Sequence, residues 1–229
     1  MHSPTAWRVT AETASFHVLP DAAMDLVWRD GTILFAGPDT RAATVQTTPG
    51  EVIWGLRLPP GIAAALLGVA ASEVLNQRVE LSAFDLPRMP RTNVASRSPA
   101  ETLRCLAQHL WVNAEPEVAR LRLAASLNRA AQRGAPVAAI AKAHDLSERS
   151  LRRLSVHWFG YGIKELASIH RLQRALALVR AGATLGETAV RARYADQAHF
   201  CRDVRRFTGT TPNALRERAQ DRLVSVGLS

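Results

Sequence analysis

The sequence predicts an α+β fold, in which a β-rich N-terminal domain precedes an all-α domain. Short strand-like segments separated by turns dominate the first ninety residues, and apolar residues at helical spacing dominate from Pro99 onward. The charge divides in the same way. Residues 1–116 carry 9 Lys+Arg and 11 Asp+Glu, whereas residues 117–229 carry 20 and 9, which together give the net charge of +9.

The N-terminal half shows clear β-signals. Its strand-like segments are FHVL, MDLVW and TILFAG, and the Asp30-Gly31 pair between the last two is a hairpin signal. The Pro-Gly pair at 60–61 introduces a short helix from about Ile62 to Leu67, and SEVLN suggests a further turn. Because the apolar run at 61–71 is well short of the ~20 residues that span a bilayer, we expect a core helix and no membrane partner.

The segment 87–99 holds three prolines and no apolar periodicity, which is typical of a linker. An apolar face at helical spacing follows, and it indicates either ordinary packing or a dimer seam. Its members are Leu103, Leu106, Leu110 and Trp111. We therefore expect a β-rich sensor or dimerisation domain at 1–90, a linker and connecting helix at 91–116, and a helical domain at 117–222.

The basic second half indicates a polyanionic partner, nucleic acid before a membrane surface, because neutralised phosphates and released counterions reward clustered positive charge. A solvated basic face is the alternative. Of the 29 basic residues, 27 are arginines, whose guanidinium group suits bidentate contacts with phosphate and guanine. Cys105 and Cys201 are too few for a disulfide framework, and the N-terminus does not resemble a secretion signal, so we expect a cytoplasmic protein.

One pattern occurs twice in the second half. Residues 147–163 align with residues 196–212 at an offset of 49, which pairs Leu151 with Phe200 and Gly160 with Gly209. Each copy has a short helix, a tight turn, a small polar N-cap and a second amphipathic helix, which is the pattern of a helix-turn-helix. The predicted N-caps are Ser147 and Asp196.

In each copy, the second helix has an apolar face and an arginine-rich face, as a helix in a major groove requires. The apolar residues are Leu151, Leu154 and Trp158 in the first copy and Phe200, Val204 and Phe207 in the second. His199 and Cys201 alone are too few ligands for zinc, so we expect no metal and no cofactor. Between the copies, residues 164–182 form one apolar-faced helix, and its length of roughly 27 Å suits two recognition helices about one DNA turn, ~34 Å, apart.

The string YADQAHFCRDVRRFTGTTP, the run S-x-R-x-L-x-R from Ser147 to Arg153, and HRLQRAL in the connecting helix resemble the AraC/XylS family of bacterial transcription regulators. The resemblance covers about residues 117–220 and implies two helix-turn-helix subdomains joined by a long helix, binding to double-stranded promoter DNA and contact with RNA polymerase. The N-terminal half resembles the small cupin-like domain of one branch of the family. A small-molecule effector in that domain and a homodimer stay open.

The resemblance also implies the DNA contacts. Base contacts are expected from Arg149, Arg152 and Arg153 in the first unit and from Gln197, His199 and Arg202 in the second. Phosphate contacts are expected from Ser147, Lys164, Arg205 and Arg206. For every arginine here, the alternative is a solvated helix face.

The sequence departs from the family pattern in both units, and more in the first. Ser155 stands where a core phenylalanine is usual, Ile163 replaces the proline found at Pro212, and Asp145 and Arg193 occupy turn positions that are often glycine. We therefore expect the first unit to dock less firmly than the second.

Two other classes of function are alternatives to a regulator. An enzyme or a cysteine-based covalent or redox sensor is disfavoured, because the β-rich half has no cysteine and only His2 and His17 as histidines. Ligand-independent or non-specific DNA binding is the other alternative, and it predicts an affinity that depends on salt and hardly on sequence.

Overall fold

The computed structural model describes residues 4–86 and 98–220. Its N-terminal part forms two antiparallel sheets, which confirms the β-rich half of the predicted α+β fold. The strands are β1 (Thr5–Thr10), β2 (Ser15–Val18), β3 (Met24–Arg29), β4 (Thr32–Ala36), β5 (Ala43–Gln46), β6 (Val52–Leu58) and β7 (Arg78–Glu80). The larger sheet has the order β1-β6-β3-β4-β7, and β2 pairs with β5 in the smaller one.

The predicted hairpin joins β3 to β4. Asp30 and Gly31 have φ values of 46° and 80°, and the flanking residues Arg29 and Thr32 are cross-strand partners. A two-residue turn with positive φ at both positions matches the right-handed twist of the strands it connects. The Asp-Gly pair therefore sets the register of these two strands.

The larger sheet packs against the first two helices, α1 (Ile62–Leu67) and α2 (Pro99–Ala114). Leu26, Phe35 and Leu56 from the sheet are fully buried beside Leu103 and Leu110 of α2. The apolar face of α2 is thus used within the chain, so the packing interpretation of that face is confirmed. The predicted linker at 87–99 falls largely on residues outside the described ranges.

The remaining helices form the predicted helical region. They are α3 (Val118–Gln132), α4 (Val137–Ala143), α5 (Glu148–Phe159), α6 (Ile163–Arg180), α7 (Leu185–Arg191), α8 (Gln197–Thr208) and α9 (Pro212–Gln220). The long helix α6 lies at the centre of their core, where Leu166, Ile169 and Leu172 are fully buried. Leu151 of α5 and Phe200 of α8 belong to the same buried cluster.

The N-terminal part contacts the helical region directly. Nε2 of Gln173 in α6 donates to the carbonyl oxygen of Pro20 at 2.5 Å, and the amide of Ala42 donates to the carbonyl oxygen of Phe207, in the last turn of α8, at 2.7 Å. Gly160, which ends α5 with a φ of 84°, lies so close to Pro38 that a Cβ added there would be 2.6 Å from Pro38 Cγ. The N-terminal part therefore touches α5, α6 and α8.

Within the described residues, no helix combines the length and the apolar character needed to cross a membrane.

Phe200→Ala is expected to lower the free energy of unfolding by about 3 to 5 kcal/mol, because the ring of Phe200 is fully buried and its loss leaves a cavity. Thermal and urea unfolding of the full chain measure this change. Val190→Ala is the matched control, since Val190 on α7 is 76% exposed and its truncation should change stability by less than about 0.5 kcal/mol. Equal melting of the two variants would show that the orientation of α8 is wrong.

Candidate nucleic-acid interface

The first helix-turn-helix unit consists of α4, a turn and α5. The turn contains Asp145 in the left-handed region, with a φ of 52°, a conformation that aspartate tolerates better than most residues. Ser147 caps α5 as predicted, because its hydroxyl accepts a hydrogen bond from the amide of Ser150 at 3.0 Å. The glycine usual at this turn is thus not needed for the chain to form it.

The second unit repeats this arrangement with α7, a turn and α8. Arg193 occupies the left-handed turn position with a φ of 64°. Asp196 caps α8 as predicted, since its carboxylate accepts from the amide of His199 at 2.6 Å. Thr184 and Glu187 form a reciprocal capping box at the start of α7. Side-chain caps therefore fix the start of both helices in this unit.

The predicted base contacts in the first unit lie on the solvent side of α5. Arg149, Arg152 and Arg153 are all exposed, while Leu151 and Trp158 on the opposite side are buried. The predicted orientation of α5 is therefore confirmed. The contacts with DNA themselves stay a prediction.

The three predicted base contacts in the second unit are placed differently from one another. Gln197 and Arg202 are exposed on α8, but His199 is partly buried. Its ring packs edge-to-face on Tyr194, with ring centroids 5.1 Å apart, and its Nε2 lies 3.9 Å from the carboxylate of Asp203. His199 thus lies on the flank of α8, beside the face that carries Arg202.

The predicted phosphate contacts also differ in their environments within the protein. Ser147 caps α5, while Lys164 and Arg205 are exposed. Arg206 forms an ion pair with Glu165 of α6, and its guanidinium carbon lies 4.3 Å from the centroid of the Phe207 ring. Arg206 therefore already links α8 to α6 through contacts within the protein.

The small core residue of the first unit is accommodated by its neighbours. Ser155 is completely buried, and its hydroxyl donates to the carbonyl oxygen of Tyr161 at 2.7 Å. Trp158 and Phe159 are buried beside it. The hydrogen bond satisfies the buried hydroxyl group. Hence α5 is packed into the core despite its departure from the family pattern.

A buried ion pair between α6 and α8 was not predicted from the sequence. Asp203 is 8% exposed, and its carboxylate accepts from the guanidinium of Arg171 at 2.9 Å. The Arg171 guanidinium also lies over the Tyr194 ring, 4.6 Å from its centroid, and burial raises the pKa of Tyr194 to about 12. The signal was available, because Asp203 falls on the apolar face of α8 between Phe200 and Phe207, where a carboxylate requires a partner.

A second polar contact fixes α6 against α3. Nε2 of His170 and Oδ1 of Asn128 lie 2.9 Å apart. Burial is the larger cause, and the nearby charge of Arg174 the smaller one, of a pKa of His170 lowered to about 4. His170 is therefore neutral at physiological pH and serves as a hydrogen-bonding group of the core.

Neither cysteine is in a disulfide, and both are partly buried. Across residues 4–86 and 98–220, no group of three or more His, Cys, Asp or Glu side chains is arranged to hold a metal ion.

Two family models match the sequence. Residues 140–218 match a model described as a helix-turn-helix domain, which spans α5 to α8 and most of the two units. Residues 5–80 match a model described as a domain of unknown function, DUF6597, which covers the two sheets. No curated protein matches the sequence.

Three solved structures are similar to this chain: one is a transcriptional regulator, and the other two are structures of ToxT. A DNA-binding transcriptional dual regulator from Escherichia coli K-12 is 26% identical, with 45% of this chain and 93% of that one covered and a TM-score of 0.38. ToxT from Vibrio cholerae O395 is 9% identical, with 94% and 96% covered and a TM-score of 0.48. ToxT bound to (E)-4-(8-methylnaphthalen-1-yl)but-3-enoic acid is 9% identical, with 95% and 98% covered and a TM-score of 0.49.

All three TM-scores lie below 0.5, so the assignment rests on the match of residues 140–218. That match covers the capped units, the outward arginines and the connecting helix described above. Residues 140–218 form a helix-turn-helix domain of the AraC type, so the resemblance to the AraC/XylS family is confirmed and the chain is a DNA-binding transcription regulator.

Proposed function

We propose that this regulator binds specific promoter sequences by placing α5 and α8 in two successive major grooves. The observation that carries the proposal is that both helices divide into a buried and an exposed face in the same way. Each buries its apolar face in the core around α6 and exposes arginines on the other side. Arginines on an exposed helix face can donate two hydrogen bonds to the edge of guanine, which is the commonest specific contact in the major groove.

The proposed base contacts are Arg149, Arg152 and Arg153 on α5 together with Gln197, His199 and Arg202 on α8. Ser147, Lys164, Arg205 and Arg206 are proposed to contact phosphates, which position the protein without selecting a sequence. The partial burial of His199 restricts it to a nucleotide at the flank of α8.

The proposed partners besides promoter DNA are RNA polymerase, a second copy of the chain in a homodimer and, in the N-terminal domain, a small-molecule effector. The direct contacts of Pro20 with α6 and of Ala42 with α8 support this role for the N-terminal part, because they join a separate sheet domain to the DNA-binding helices. A chromosomal target also implies that the protein works in the cytoplasm, and cell fractionation tests that location.

Native mass spectrometry of the purified full chain tests the effector and the homodimer together. A retained small molecule shifts the mass of the chain by a constant increment, and a homodimer doubles it. A spectrum with only the bare monomer at micromolar concentration, before and after incubation with DNA, would contradict both proposals.

DNase footprinting on the region upstream of the protein's own gene tests the main proposal. We expect protection of two major-groove patches about one helical turn apart, ~34 Å, on one face of the duplex. Transcription of the same fragment by bacterial RNA polymerase should change when the protein is added. Uniform protection of any DNA, with an affinity set by salt alone, would favour non-specific binding instead.

Arg202→Ala is expected to weaken binding to the cognate site by about 1 to 3 kcal/mol and to relax base preference at one position, because a bidentate base contact is lost. Arg205→Ala is the matched comparison, since Arg205 is exposed on the same helix and should weaken binding almost equally on all sequences. Titrations of both variants against the cognate site and its single-base variants measure the difference. An equal loss on every sequence for Arg202→Ala would make Arg202 a phosphate contact.

A further inference from the structure

A basic cleft of about 440 Å³ lies between the connecting helix α6 and the flank of α8. The end of α3 and the turn before α8 complete its wall. Its size falls within the range of small-ligand sites in proteins, roughly 300 to 1,000 Å³. Part of its lining is formed by Ala131, Ala167 and Ala192, whose short side chains leave the space open.

The cations around this cleft outnumber the carboxylates. The lining cations are Lys164, Arg171, Arg174, Arg193 and Arg206. Asp203 is the carboxylate in the lining, and Glu165 pairs with Arg206 from outside it. Five positive charges against these two carboxylates leave a formal excess of +3 within the described residues.

Two of the arginines have no carboxylate among their described hydrogen-bond partners. The guanidinium of Arg174 donates to the carbonyl oxygen of Gln132 at 2.5 Å, and that of Arg193 donates to the carbonyl oxygen of Arg133 at 3.1 Å. These bonds orient both guanidinium groups at the end of α3 but do not neutralise them. Their charge is therefore available to an anion in the cleft.

Arg171 also lines the cleft but is held differently. Its ion pair with Asp203 uses one terminal nitrogen, whereas its buried Nε has no hydrogen-bond partner among the described residues. Its guanidinium group is held in place by Asp203 on one side and by the Tyr194 ring, 4.6 Å away, on the other.

We propose that this cleft is a phosphate-binding site formed by Arg171, Arg174 and Arg193 together with Lys164. Planar guanidinium groups suit the tetrahedral oxygens of phosphate, and an excess of +3 suits a doubly charged group. A backbone phosphate of bound DNA and a free phosphate-bearing molecule present the same chemistry. If the phosphate belongs to bound DNA, this inference rests on the proposed function, because His199 and Arg206 connect the cleft to the proposed DNA-contacting face of α8. If the phosphate belongs to a free molecule, the inference does not depend on the proposed function.

Ser168 offers a matched pair of variants in the cleft. It lines the cleft on α6, where its hydroxyl donates to the carbonyl oxygen of Lys164 at 3.1 Å and accepts from the guanidinium of Arg171 at 3.5 Å. Ser168→Glu places a negative charge in the cleft, and Ser168→Gln places a neutral group of the same size there. Isothermal titration of the full chain with inorganic phosphate and with pyrophosphate, at constant ionic strength, should show one-site binding in the wild type and Ser168→Gln. Ser168→Glu should weaken it at least tenfold.

Whether the cleft binds a backbone phosphate of DNA is tested by measuring how the protein's affinity for the footprinted fragment depends on salt. Arg174→Gln should lower the slope of log affinity against log salt by about one unit, because one phosphate contact is lost. Arg122→Gln removes the same charge from an exposed position on α3 and should leave the slope unchanged. If Arg174→Gln fails to fold by circular dichroism, the two Ser168 variants measured on DNA decide the question.

The phosphate titration and the salt dependence are interpreted together. Phosphate binding without a change of slope assigns the cleft to a free phosphate, and a change of slope assigns it to DNA. If no phosphate binds and the slope is unchanged, the cleft only joins helices, and the proposal is wrong. An intact wild-type footprint in that case leaves the proposed function standing, whereas a missing footprint refutes the proposed function by itself.

Discussion

The structure of the helical region depends on burial of apolar side chains against α6. Leu151 of α5, Phe200 of α8 and Leu166 of α6 are all completely buried in one cluster. Removing such side chains from water is the main favourable contribution to folding. Because both recognition helices bury their apolar faces in one cluster with α6, their arginine faces are directed away from the core. The exposed arginine-rich surface is thus a consequence of how the core is packed.

Charged groups that enter this core are paired. Asp203 lies on the buried side of α8, and the guanidinium of Arg171 compensates it, since a lone carboxylate there would lose its hydration without a substitute. Ser155 follows the same rule through its hydrogen bond to Tyr161. These contacts define how α6 lies against α8 and how α5 ends, which apolar packing alone does not specify.

The N-terminal part contacts both recognition helices at their C-terminal ends. Pro38 lies against Gly160 after α5, and the amide of Ala42 binds the last turn of α8. A cleft with an excess of positive charge lies farther along α8, next to α6. The sheet domain thus contacts α8 at its last turn and α6 at Gln173, while the cleft lies between α6 and the flank of α8.

The sequence by itself determined the elements of this protein. Strand alternation, the Asp30-Gly31 turn, the N-caps Ser147 and Asp196 and the periodicity around Phe200 are local signals, so the α+β class, the hairpin, both helix-turn-helix units and the outward faces of α5 and α8 followed from short stretches of chain.

Only the tertiary structure decided which distant groups meet. The pairing of Arg171 with Asp203, the use of the apolar face of α2 against the sheet and the contact of Ala42 with Phe207 all join residues 32 or more positions apart. Their position depends on how helices and sheets pack around a shared core. Periodicity along one segment reports which face is buried, but it contains no information about the partner that buries it.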